Sequence, residues 1–268
     1  IGIKWKQGYV EQRIDEEGNL YDCFRDYNYD FLKDTGIKVK VKIRQSDVWC
    51  KVWKVDCFGN ADLYLLDTDI EENDDRWITG RLYGGFAEER IAQEMVLGIG
   101  GIRALRALNI PVDIYHFNEG HAVLAGLELM KEKMNTGMSF NKAWESTRKE
   151  VVFTTHTPVK AGNEKHSIEA LAYMGANLGF STEQMSRIGG MPFNMTVAAL
   201  RLSRKSNAVS ELHKQTANKM WAKTENRSKI IGITNAIHIG TWVDKRMRRK
   251  FLNLDEMWNN HQGIKKEL

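Results

Sequence analysis

Three short apolar runs in this 268-residue chain each end in a dense polar cluster. VDIYHF leads to Asn118, Glu119 and His121, VVFTT leads to His156 and Thr157, and KIIGIT leads to Thr234, Asn235 and His238. Asn, Thr, Glu and neutral His supply planar donors and acceptors suited to a polyhydroxylated ligand, and Tyr83 and Trp242 offer faces for a sugar ring. One histidine after a strand is more often a loop cap than a functional group; three coincident clusters favour a site. Metal chemistry fits less well. His116, Glu119, His121, His156 and His238 are competent ligands, but HFNEGH sets its histidines five apart across a strand-to-helix turn, unlike the one-faced HExxH, so no metal is expected. A nucleophilic triad lacks both a GxSxG elbow and a cysteine beside these clusters.

Such residues need rigid mounts. Val151 to Thr155 reads as a strand of β-branched and aromatic type, and Pro158 bars its continuation, so His156 stands at a strand's carboxyl end. The chain up to residue 67 is strand-like, in the runs GIKWKQGYVEQRI, IKVKVKIR, VWCKVWKVDCF and LYLLDTD, punctuated by EEGN and FGNAD. Lys38, Lys40, Lys42 and Arg44 alternate with Ile37, Val39, Val41 and Ile43, the pattern of a strand with one wet face. After IEENDD the texture changes. Ile91, Met95, Ile99, Ile102 and Leu105 recur at three- and four-residue steps, which predicts a helix from Glu88 to Leu108. Its GIGG lacks GxGxxG spacing and follows no strand, so helix packing explains it better than phosphate binding. Further helices are expected over GHAVLAGLELMKEKM, FNKAWESTRK, SIEALAYMGANLG and from about Phe193 to Trp221. Strand-helix alternation predicts an α/β fold, a Rossmann-like parallel sheet with flanking helices behind a β-rich front section. In such sheets ligands bind beyond the carboxyl ends of the strands.

Composition narrows the partners. A net charge of +4, from 39 basic and 35 acidic residues, implies neither nucleic acid nor an anionic membrane. No apolar run approaches the roughly 18 residues a membrane span needs, and no signal-peptide pattern opens the chain, so a cytoplasmic protein is expected. Cys23, Cys50 and Cys57 show no CxxC spacing, which leaves a disulfide framework and a zinc ribbon unsupported. KRMRRK, Lys245 to Lys250, reads as a surface helix. The chain opens at Ile1 inside ordered-looking sequence, as a piece of a longer protein would.

The stretches ITGRLYGGFAEERIAQEMVLGIGGIRALRAL, YHFNEGHA, VVFTTHTPVKAGNE, FNMTVAALRLS and GITNAIHIGTW, in that order, resemble the α-glucan phosphorylases (glycogen, starch and maltodextrin phosphorylases), especially the shorter bacterial and archaeal branch. The resemblance implies one half of a GT-B glycosyltransferase fold. It also implies a reaction in which inorganic phosphate attacks the terminal glucose of an α-1,4-glucan or maltooligosaccharide and releases glucose 1-phosphate with retention, pyridoxal phosphate acting through its phosphate group. By position, His156 and Asn235 resemble the residues that hold the glucose hydroxymethyl group at the catalytic subsite. Glu119 and His121 are similar to residues of the adjoining acceptor subsite, while Tyr83, Arg90 and Thr157, with Asn118 beside them, match the substrate-binding channel. These are binding roles; none is a nucleophile.

Departures accompany the match. LYGGF carries Phe86 where short-branch relatives place an acid, and Ala208 and Ala236 follow asparagines where the family favours glycine, a strained choice if φ is positive there. The cofactor's Schiff-base lysine and the substrate-phosphate cluster belong to a C-terminal domain absent from this chain. The expected organisation is a β-rich section at 1–67, a Rossmann-like glucan-binding core at 68–242 and a polar helical tail at 243–268. Without the other half of the cleft, turnover is not expected. Homodimers are common in the family. The competing readings are a non-catalytic glucan-binding module and half of another GT-B sugar transferase.

Overall fold

The computed structural model describes residues 1–27, 29–82 and 87–267, so Tyr83 and Phe86 lie outside the described residues. Two units emerge, Ile1–Gly232 and Ile233–Leu268.

The first unit begins with β1 (Gly2–Ile3), β2 (Gln7–Ile14), β3 (Leu20–Asp26), β4 (Lys33–Ile43), β5 (Ser46–Val55) and β6 (Leu63–Asp67). The run GIKWKQGYVEQRI, expected as one strand, is divided between two sheets. β1 pairs parallel with β6, whereas β2 forms an antiparallel ribbon with β3. Lys4, between them, reaches Asp67 at 2.9 Å. β4, β5 and β6 are antiparallel neighbours, and the alternation in β4 sorts as expected: Val39, Val41 and Ile43 are buried while Lys38, Lys40 and Lys42 face outward.

Helices α1 (Ala87–Met95) and α2 (Gly101–Ala107) are joined by a π-helical turn, Val96–Gly100. Gly98 lets the turn press on α3 (Val123–Asn135): a Cβ there would meet the Ala125 backbone nitrogen at 2.6 Å. The glycines of GIGG therefore serve close packing.

A second sheet is wholly parallel. Its strands β7 (Tyr115–Asn118), β8 (Val151–Thr155), β11 (Lys205–Ala208) and β12 (Ile230–Gly232) lie in the order β12-β11-β8-β7. The intervening chain supplies α4 (Phe140–Glu150), the short antiparallel pair β9 (Lys165–His166) and β10 (Phe193–Asn194), and helices α5 (Ile168–Met174), α6 (Thr182–Gly189), α7 (Met195–Leu202) and α8 (Glu211–Met220). Local chemistry starts several of these helices. Ser181 and Gln184 form a reciprocal capping box on α6, Asn194 accepts from Val197 N to open α7, and Ser210 accepts from His213 N to open α8. Phe153 and Phe193 are fully buried in the core.

The single helix expected from about Phe193 to Trp221 is corrected to strand, helix, strand, helix. Lys205 to Ala208 has no hydrophobic period of its own. What makes it a strand is its place between β8 and β12, where Asn207 pairs in register with Thr154 and Ile231. Ala208 ends that strand, and neither it nor Ala236 is among the described non-glycine residues with positive φ, so the alanines bring no strain of that kind.

The second unit contains α9 (Ile239–Trp242) and α10 (Leu254–Lys266), the latter opened by Asn253, which accepts from Glu256 N. Arg246 joins Asp244 and Glu267, each at 2.8 Å. No described helix is long and apolar enough to cross a membrane.

Candidate functional site

β7 and β8 end level, with Asn118 opposite Thr154. The chain leaving β7 bends at Glu119, whose φ of 64° and ψ of 177° lie in a region that residues with a Cβ rarely occupy. Its amide donates to the Thr154 carbonyl at 2.9 Å, tying the bend to β8. Its carboxylate reaches the residues that follow β8: Oε1 accepts from the His156 amide at 2.8 Å and Oε2 from the Thr157 hydroxyl at 2.6 Å. Gly120 is required beside it, because a Cβ would sit 2.9 Å from Met195 Cβ. Beneath this, the Thr154 hydroxyl donates to Asn207 Oδ1 at 2.7 Å and lies 2.7 Å from His116 Nε2. With its proton committed to Asn207, the hydroxyl accepts from His116, which places the imidazole proton on Nε2. The string crosses three strands and stiffens the floor under His156, whose side chain is exposed.

A second cluster joins α1 to the loops after β7 and β8. Arg90 donates through Nε to Glu164 Oε1 at 2.6 Å, and its Nη2 lies 2.6 Å from His121 Nδ1. A guanidinium only donates, so Nδ1 accepts and His121 carries its proton on Nε2. His121 Nδ1 is also 3.3 Å from Glu164 Oε2. Behind them, Glu94 is almost wholly enclosed and meets His166 Nε2 at 3.1 Å. Burial, then the neighbouring Glu164 carboxylate, pushes the Glu94 carboxyl well above its ordinary value. Burial alone would raise Glu164 as well, but the Arg90 guanidinium, bonded to its Oε1, holds it far below the usual carboxylate range. Burial lowers His166. The coherent state is a protonated Glu94 between a neutral His166 and an anionic Glu164.

Glu94, His121 and Glu164 each offer a ligand atom, all within 4.8 Å of one another, and are the candidate metal group among the described residues. Arg90 already holds two of the three, and a guanidinium between the donors repels a cation, so the donor set favours a proton and an arginine over a metal. Nor does the cluster suit pyridoxal phosphate, which needs a lysine: the cation here is Arg90, engaged by Glu164, and the nearby Lys160 and Lys165 are exposed.

Asn118, Glu119, His121, Arg90, His156 and Thr157 thus gather around the carboxyl ends of β7 and β8. Arg90, Asn118 and His121 line a cavity of about 330 Å³, with Trp5, Leu82 and Glu94 in its wall. His156 and Thr157 are not part of that lining. Thr234, Asn235, His238 and Trp242 belong to the second unit, where His238 Nδ1 lies 2.8 Å from the Thr241 hydroxyl. Glu94, Glu164 and His166 were not singled out from the sequence. One signal was available: Glu94 interrupts the apolar face of α1 between Ile91 and Met95.

These features define an α/β protein with a Rossmann-like parallel sheet and a polar cluster beyond its carboxyl edge. No family model matches the chain. It is 34% identical to the maltodextrin phosphorylase of Thermococcus litoralis over 297 aligned residues, covering 100% of this chain and 36% of that protein. It is 31% identical to the glycogen phosphorylase of Aquifex aeolicus, covering 94% and 39% respectively. An uncharacterized protein of Methanocaldococcus jannaschii is 40% identical, covering 92% and 47%. Along its own length the chain is homologous to proteins named maltodextrin and glycogen phosphorylase, and it spans between 36% and 47% of the length of these relatives.

Proposed function

We propose that this chain is the N-terminal, glucan-binding portion of an α-1,4-glucan phosphorylase, one half of a GT-B cleft. The observation that carries the reading is the 34% identity to a maltodextrin phosphorylase along the whole chain. In this reading His156 and Asn235 hold the terminal glucose at the cleavage subsite, and Asn118, Thr157, Arg90 and Tyr83 border the glucan channel. Glu119 and His121 belong to the adjoining acceptor subsite. The division into a front section to residue 67, a core to residue 242 and a tail is retained as part of the proposal. Phosphate and pyridoxal phosphate are held by a second domain, and the 268-residue chain turns over nothing alone, because the reacting phosphate has no partner surface to place it against the sugar.

The test is maltoheptaose binding and phosphorolysis by this chain, with and without added pyridoxal phosphate. The expected result is binding, no glucose 1-phosphate, and at least about a tenfold loss of affinity on His156→Ala, equivalent to about 1.4 kcal/mol. Absence of binding overturns the reading; product formation overturns the dependence on a second half.

A further inference from the structure

We propose that Glu119 is a positioning residue, which fixes the turn carrying His156 and Thr157 and makes no contact with glucan itself. The proposal rests on the reading of this edge as a glucan-binding surface and changes what Glu119 does there.

Three observations converge. Both carboxylate oxygens are already engaged, one by the His156 amide at 2.8 Å and the other by the Thr157 hydroxyl at 2.6 Å. Both bonds are short, and together they aim the carboxylate at the turn after β8, away from an open ligand surface. Second, Glu119 is anchored at both ends, since its own amide donates to Thr154 at 2.9 Å. Backbone and side chain together form a closed bracket from the end of β7 to the end of β8 and two residues beyond. Third, the residue sits at φ 64° and ψ 177°, a conformation that glycine enters freely and other residues avoid. A glutamate in a glycine's conformation is balanced by what its carboxylate holds. His156 is left exposed, with its backbone amide held.

The test compares Glu119→Ala with Glu119→Gln, reading the exchange rate of the His156 amide by NMR and maltoheptaose affinity by calorimetry. Glutamine keeps an acceptor oxygen for the His156 amide and offers its NH2 to the Thr157 oxygen. Glu119→Ala is expected to lower His156 protection and affinity together, each at least about tenfold, while Glu119→Gln restores both to within about threefold of wild type. A protected His156 amide in the alanine variant overturns the proposal. So does a glutamine variant that keeps the amide protected yet loses affinity as fully as alanine does, because the carboxylate would then be touching glucan. A wild-type chain that binds no maltoheptaose refutes the functional reading alone, and the exchange rates still decide whether Glu119 holds the turn. If the alanine variant does not fold, Glu119→Asp, one methylene too short to reach both partners, replaces it.

Discussion

Replacing Glu94 by glutamine should leave the fold intact and change how stability depends on pH. Glutamine has the shape of the protonated carboxyl and can donate to His166 Nε2. The folded Glu94 carboxyl titrates well above its ordinary value near 4.5, because burial and then the Glu164 carboxylate oppose its ionisation. A raised folded pKa means that the folded chain holds a proton the unfolded chain has released. The associated stability is therefore complete below the unfolded value and is lost as pH rises toward the folded one. One proton corresponds to a slope of about 1.4 kcal/mol per pH unit across that window. Glutamine cannot ionise, so its stability relative to wild type should climb at that slope from the ordinary carboxyl range upward and then level off. His166, shifted downward by burial, works in the opposite sense, gaining stability as pH rises past its folded value toward the ordinary 6.5; because it touches residue 94, its contribution differs between the two proteins below that value, and the slope is read above it. Urea unfolding at a series of pH values between about 5 and 8 measures this directly. Parallel wild-type and Glu94→Gln curves would refute a proton resident on Glu94.

Two further substitutions test the surroundings of the site. Arg90→Met leaves the Glu164 carboxylate, which has only 29% of its side chain exposed, without the guanidinium that holds it, and should cost about 3–5 kcal/mol in urea unfolding. Gly98→Ala drives a Cβ to 2.6 Å from the Ala125 backbone nitrogen and should lower stability by about 1–3 kcal/mol, read as a reduced thermal midpoint.

Much of the site's location was legible in the chain. VVFTT followed by His-Thr-Pro marked a strand end, HFNEGH marked another, and a parallel sheet brings such ends to one edge. The alternation in β4 and the glycines of GIGG were readable for the same reason: period and residue size report directly on burial. β11 was not readable, because Lys205 to Ala208 is short and polar and becomes a strand only between two others.

By itself, then, the sequence determined the α/β class, the residue types at the strand ends and the glycines that permit close approach, all of which follow from local propensity and pattern. Tertiary structure alone decided which polar groups are consumed by one another. Glu119 faces His156 and Thr157 across a separation of 37 and 38 residues, and Glu94 meets His166 across 72. No period in the chain encodes those distances. They arise from strand register and helix docking, and the low dielectric they create is what turns an ordinary carboxyl into a proton holder at one position and a bracket of fixed hydrogen bonds at the other.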